Sequence, residues 1–393
     1  MPSKREQLGL APVYLFYFGA LGILIPYWAP YLREIGLAPV QIGQIMAVYL
    51  GWRLLAPTAW GWLADRSGRR MLLVRVAAAA AALAFTGVAT QTTFVGLLLW
   101  MSLFAVFWTA LIPQYEANTL AVLGPRMGSY GQIRLWGSVG FILAVVFGGW
   151  WFDQYGLGIV PLVSAGLIAM VALTSWFAPA GPQATLDRAE PGLSRVLRQP
   201  RVIALLLVAL LVQAAFGPYY VFFTVYLEEL GYSRVSIGML WALGVAAEIC
   251  VFLYSPWLFR ICSRRRLLLA ALAFSVLRWC LTAAFAEHLV LLVLAQLMHM
   301  ASFGLFHAVA VVCIHDFFPG NTHGRGQAIY SSAGFGAGGA LGSLYSGYTW
   351  TLLGPAAMFW VAAGLVGLAF MIAVVWIRPD EESQDLTSEW SEE

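Results

Sequence analysis

Charge is what this sequence has least of. Only 10% of its 393 residues are Asp, Glu, Lys or Arg, against roughly 25% in an average soluble domain. So few charges cannot solvate a water-soluble fold of this length. The net charge of +3 comes from dispersed Lys and Arg, without the basic face that nucleic-acid binding needs. Cysteine is nearly as scarce. Cys250, Cys262, Cys280 and Cys313 lie on apolar stretches with no CxxC pair and no regular spacing to His. They read as small buried apolar residues rather than a disulfide framework or a metal site. No metal cluster, nucleophile triad or soluble catalytic domain is visible, so neither an enzyme nor a cofactor is expected. The start, MPSKREQLGLAPVYLFYFGALGILIPYW, has a positive flank and a long apolar run but no A-x-A cleavage site. It is expected to stay as a first membrane span.

Apolar residues fill the gap. They make up 61% of the chain, with 17 Trp and a mean hydropathy of +0.78, the composition of an integral membrane protein. Apolar runs fall at about 9–32, 41–63, 71–90, 93–115, 132–152, 157–177, 201–227, 236–258, 266–286, 289–313, 326–349 and 354–376. The expectation is an all-α membrane protein of twelve transmembrane helices. Eighteen of the twenty-two Lys and Arg then lie at the N-terminus, the even-to-odd loops or the C-terminal flank, and only Arg33 and Arg234 lie opposite. By the positive-inside rule both termini are cytoplasmic.

The chain also reads as a duplication. At an offset of 195, YLREIGLAPVQIG (31–43) lies on YLEELGYSRVSIG (226–238), and GQ at 131–132 lies on GQ at 326–327. Two pseudo-symmetric six-helix bundles are therefore expected at 1–178 and 201–377, with a cytoplasmic linker at 179–200 and an acidic tail at 378–393.

Against this apolar background single charges stand out. IGMLWALGVAAEICVFLYSPWLF (237–259) carries one, Glu248, near its middle. An acid at that depth costs about 2.5–3.5 kcal/mol on the insertion scale, so it needs a partner, a proton or a wet cavity. At the same offset it aligns with Arg53 in span 2. Two readings follow: both charges face a shared cavity, or they form an internal ion pair between the bundles. Span 9 has one charge, Arg278, at a depth that lets it pair with Glu248. Span 10 offers Gln296, His299 and His307; positions 296, 299, 303 and 307 share one helical face. The histidines are either hydrogen-bonded core residues or proton relays facing the cavity. Glu116 at the end of span 4 and Arg134 at the start of span 5 are placed to pair where those helices meet.

Small residues in SSAGFGAGGALGS of span 11 suit close helix packing. The aromatics Tyr219, Tyr220, Phe222, Phe223, Tyr27, Trp28 and Tyr31 are either interfacial anchors or a cavity wall.

GWLADRSGRR (61–70) follows span 2. Its Gly61, Asp65, Arg66, Gly68, Arg69 and Arg70 match G-x-x-x-D-R-x-G-R-R/K, so the chain resembles the major facilitator superfamily. The resemblance implies the major facilitator fold, secondary transport by alternating access, and a cytoplasmic latch in this loop. A carboxylate near a helix N-terminus is stabilised by roughly 0.3–1 kcal/mol, weak enough to break in each cycle. The other reading is a positive loop that only sets topology. In the second half Arg260 stands where Asp65 did, so the latch is expected on one side only.

YGQIRLWGSVGF, GVAAEICVF, LRWC and the two span-10 histidines make the chain similar to the 3-phenylpropionate permease group, near the lactose permease type of proton symporter. That resemblance implies roles for Glu116, Arg134, Glu248, Arg278 and His299. Ser302 departs from it, because the related symporters carry a Glu there. The implied function is proton-coupled uptake of a small aromatic carboxylic acid across a bacterial-type inner membrane by a monomer, driven by the proton gradient. Glu248, His299 and His307 would couple the proton; Arg53, Arg278, Gln296, Glu116 and Arg134 would bind substrate. A sugar or nucleoside symporter and an exporter remain alternatives.

Overall fold

A computed structural model describes residues 4–124, 129–182, 193–318 and 322–377. Among them helix is almost the only regular structure: α1 (Lys4–Glu34), α2 (Pro39–Gly51), α3 (Ala56–Ser67), α4 (Arg70–Ala89), α5 (Phe94–Leu123), α6 (Tyr130–Tyr155), α7 (Val160–Phe177), α8 (Leu193–Leu197), α9 (Pro200–Ala215), α10 (Gly217–Glu229), α11 (Arg234–Ile261), α12 (Arg264–Phe285), α13 (Leu289–Leu297), α14 (Phe306–Phe317), α15 (His323–Ser331), α16 (Gly339–Leu353) and α17 (Pro355–Trp376). Without water in a bilayer core every backbone polar group must be satisfied within the segment, and helices do that.

Ten helical stretches are long and apolar enough to cross a membrane, among the described residues. The other two expected spans are helical but irregular. The one at 41–63 is broken into α2 and α3 by a 3-10 turn at Trp52–Leu54. The one at 326–349 runs from α15 to α16 through a π-helical stretch, Ser332–Gly338, and eight glycines between 323 and 353 lower its hydropathy. The expected count of twelve therefore stands at ten by length and apolarity alone. The middle of the linker and the acidic tail lie outside the described residues.

The duplication is visible in backbone detail. Gly36 (φ +95°) and Gly231 (φ +85°), 195 residues apart, both close a helix in the left-handed region. Each turn makes the same pair of bonds, Gly36 N–H to Arg33 O with Leu37 N–H to Leu32 O, and Gly231 N–H to Glu228 O with Tyr232 N–H to Leu227 O. A side chain at either glycine would be strained, which is why the turn keeps Gly in both copies. Arginines recur in one structural role. Arg75 of α4 donates to Ser175 O and Ala178 O, both at 3.1 Å, at the end of α7. Arg265 of α12 donates to Ile377 O at 2.9 Å and Val374 O at 3.0 Å at the end of α17. Each guanidinium satisfies orphan carbonyls at a helix C-terminus, where a cation is favoured.

Apart from α2, whose main neighbour is α16, α1 to α7 pack chiefly on one another, as do α9 to α17. The two sets meet through α1 with α10, α2 with α16, α6 with α11, and the 3-10 turn at Trp52–Leu54 with the π-helical stretch Ser332–Gly338. The first three lie toward one end, called here the far end, opposite the chain termini, and the last lies between the two ends. The near-end segments α3, α9, α14 and α15 make their substantial contacts inside their own set. Among the described residues the halves are thus joined at the far end and apart at the near end, with a cleft between them.

Glycine makes the far-end contacts close. A Cβ on Gly149 would come within 2.5 Å of Arg234 O, and one on Gly238 within 2.5 Å of Val145 O. Tyr27 reaches into the same crossing and donates to Val145 O at 2.6 Å. Polar contacts fasten the rim. Asp153 accepts from the backbone N–H groups of Arg234 and Val235, both at 3.1 Å, capping α11. Arg234 donates to Phe152 O at 2.9 Å and Glu228 at 2.7 Å, and Arg33 pairs with Glu229 at 2.6 Å.

Candidate functional site

Arg53 sits in the 3-10 turn that interrupts span 2. It is half-buried, beside Tyr17 and Tyr49, and its guanidinium lies 5.8 Å from the Phe335 ring centroid of the opposite half. Among the described residues no carboxylate pairs with it. The ion pair between Arg53 and Glu248 does not form in this geometry.

Glu248 occupies the other wall. Its side chain is 19% exposed, and Oε2 lies 3.5 Å from His299 Nε2. Gly304 makes room for it, since a Cβ there would lie 3.2 Å from Glu248 Cγ. The expected pairing with Arg278 is absent. Arg278 instead donates to Ser302 Oγ at 3.1 Å and is fully buried among Tyr219, Trp279 and Phe216, at 4.4, 4.3 and 5.3 Å from the ring centroids. Adjacent spans fix depth but not direction around the helix axis, and here Arg278 turns into the aromatic packing. Gln296 is equally sealed and accepts from Tyr219 at 3.1 Å. Arg278 Nε and Nη2, Gln296 Nε2 and His299 Nδ1 have no partner. In this conformation Arg278 and Gln296 lie behind the Glu248–His299 pair and do not line the cleft.

His307 is half-buried, with Nδ1 3.1 Å from Tyr330 Oη. Glu116 and Arg134 come together as the spacing suggests, at 3.5 Å, with Tyr130 donating to Glu116 at 3.2 Å. Both members are about one-third exposed, and Arg134 lies 3.9 Å from the Phe18 ring centroid.

At the near end the G-x-x-x-D-R-x-G-R-R loop folds on itself. Gly68 (φ +65°) ends α3 in the left-handed region, and Arg70 pairs with Asp65 at 2.6 Å. Arg66 lies over Trp62, 5.4 Å from the ring centroid. Arg69 is the residue before α4, and Gly61 leaves room for Gln114 Nε2, 3.2 Å from where a Cβ would sit. Asp65 does not reach the opposite half here. In the second copy Arg264 pairs with Asp316.

Most of the aromatic residues expected as a cleft wall are core instead. Tyr27, Trp28, Tyr219, Phe222 and Phe223 are at most 1% exposed; Tyr31 is buried, and only Tyr220 is half-exposed. The partly exposed rings are Phe303 and Phe335. Phe303 shares the span-10 face with both histidines, a signal that was present. Asp153 was also missed, although it lies on the side where Arg33 and Arg234 are the only cations.

Two findings place this geometry among known proteins. Residues 8–361 match the MFS_1 like family, so the chain belongs to that family of major facilitator transporters. It is an integral membrane transporter and not an enzyme. It is 32% identical over 382 residues to the "Probable 3-phenylpropionic acid transporter" of Escherichia coli, covering 94% of this chain and 96% of that one. It is 28% identical over 369 residues to a maltose permease of Geobacillus stearothermophilus, covering 91% and 92%. The fold superposes on the crystal structure of the nucleoside transporter NupG with a TM-score of 0.82, at 16% identity, over 95% of this chain and 100% of that one.

Proposed function

We propose that this transporter takes up a small aromatic carboxylic acid together with protons by alternating access, as a monomer in a bacterial inner membrane with both termini in the cytoplasm. The observation that carries this reading is Arg53, a cation in the cleft with no carboxylate partner among the described residues, opposite the Glu248–His299 pair. A guanidinium fork offers two parallel N–H bonds to a carboxylate. Glu248 exchanges the proton with help from His299, and His307 with Tyr330 extends the polar line along the cleft. Protonating Glu248 when substrate binds removes one negative charge as another enters, so the loaded site carries the charge of the empty one. Arg278 and Gln296 support that pair from behind. Glu116 and Arg134 line the near side of the cleft, and Asp65, Arg66, Arg69 and Arg70, with Gly61 and Gly68, form the gating loop. The near end is then the cytoplasmic one. Similarity to the probable 3-phenylpropionic acid transporter of Escherichia coli supports the substrate class.

The test is proteoliposome uptake of labelled 3-phenylpropionate with the outside made acidic. Wild type is expected to accumulate it, and Glu248→Gln to lose gradient-driven accumulation while still exchanging substrate across the membrane. Accumulation at the wild-type rate in Glu248→Gln overturns the coupling role. A second reading has its own support: Glu116–Arg134 is an internally neutral, partly exposed pair suited to hydroxyl groups, and relatives include a maltose permease. Uptake of maltose or uridine in place of 3-phenylpropionate favours it. Net outward transport in oriented vesicles favours an exporter.

A further inference from the structure

The cleft has two rings that the fold presents in an unusual way. Phe303 lies within the π-helical stretch Met300–Leu305 of span 10, and Phe335 within Ser332–Gly338 of span 11. A π-turn rotates the residues after it relative to an α-helix, and such turns cluster at functional sites. Here the two irregular stretches face one another, with Phe303 and Phe335 edge-to-face, ring centroids 6.3 Å apart.

Phe303 lies parallel to His299 (5.4 Å, 2°) and to His307 (6.0 Å, 10°). Phe335 touches His307 at 5.9 Å between centroids and takes the Arg53 guanidinium on its ring. Both are partly exposed, whereas Phe216, Tyr219 and Trp279 behind them are sealed. Phe335 is thus an apolar surface next to Arg53, which has no carboxylate partner among the described residues, and Phe303 meets it edge to face. Gly336, beside Phe335, lets the stretch approach Arg53: a Cβ there would lie 3.1 Å from Leu54 N.

We propose that Phe303 and Phe335 determine substrate specificity: they receive the aryl ring of an arylalkanoic acid whose carboxylate is held by Arg53. Phe335 exchanges part of its contact with the guanidinium for contact with the substrate ring. The Phe303 face, shared with both histidines, bounds the other side. Aromatic pairs favour offset or edge-to-face contact at centroid separations of about 4.5–7 Å, the spacing these rings already keep with their neighbours. This inference rests on the carboxylate reading of Arg53.

The experiment compares uptake of 3-phenylpropionate with that of 3-cyclohexylpropionate, which keeps the carboxylate and chain but lacks the ring electrons, in proteoliposomes of wild type, Phe303→Leu, Phe335→Leu and Phe335→Tyr. Wild type should prefer the phenyl acid. In both Leu variants KM for the phenyl acid should rise up to about tenfold, with the preference falling toward unity and kcat for the cyclohexyl acid retained. Phe335→Tyr should keep the preference. An unchanged preference in both Leu variants overturns the ring assignment and leaves the carboxylate reading standing, as does equal loss of both acids through kcat. If wild type carries neither acid, the carboxylate reading falls and this inference with it.

Discussion

Asp153 and Asp65 sit at opposite ends of the same half of the molecule and do different things. Asp153 reaches the other half and caps α11 with two backbone bonds. Asp65 turns back on Arg70 of its own loop. The first contact must break for the far end to open. In the proposed cycle the second would be exchanged for a contact across the near end when that end closes. A short carboxylate at a helix N-terminus, as Asp153 is to α11, contributes roughly 0.3–1 kcal/mol and so holds a state without freezing it.

That contrast can be broken most sharply at the glycine crossing. Gly149→Leu would drive side-chain atoms into the Arg234 carbonyl, and overpacking typically costs about 1–3 kcal/mol. The far-end closed-to-open ratio should fall by roughly five- to 150-fold. Spin-label distances between the far ends of α6 and α11 should lengthen; unchanged distances would show that the crossing tolerates bulk. Asp153→Asn keeps the shape and removes the charge, so a two- to fivefold shift toward the far-end-open form is expected, at about 0.3–1 kcal/mol, in the same distance measurement. Arg33→Gln should do least, since its pair with Glu229 is more than a third exposed and such pairs contribute about 0–1 kcal/mol. Asp65→Asn sharpens the other side. It should leave the far-end distances as they are and slow substrate turnover, whereas a shift at the far end would contradict a near-end role.

Much of this architecture was legible because duplication leaves a register. The offset of 195 places Gly36 on Gly231, and the structure gives both the same turn. Glu116 with Arg134 was readable because a short connection joins their helices. Glu248 was readable as an anomaly, but its partner was not. Depth along a helix follows from counting residues, while the direction around its axis depends on crossing geometry, and this is why Arg278 faces Ser302 instead of Glu248. Phe303 was on the face already read for the two histidines, whereas Phe335 escaped because its π-helical stretch and the facing 3-10 break depart from the 3.6 period that sequence reading assumes. The glycine-rich stretch of span 11 was read as a packing surface, and it also carries Phe335.

The sealed position of Arg278 has a consequence for timing. A guanidinium held by three aromatic rings and one hydroxyl cannot change partners quickly unless water or a carboxylate reaches it first. Any step of the cycle that recruits this cation must wait for its cage to loosen, which makes the aromatic packing around α12 a brake on turnover as well as a support.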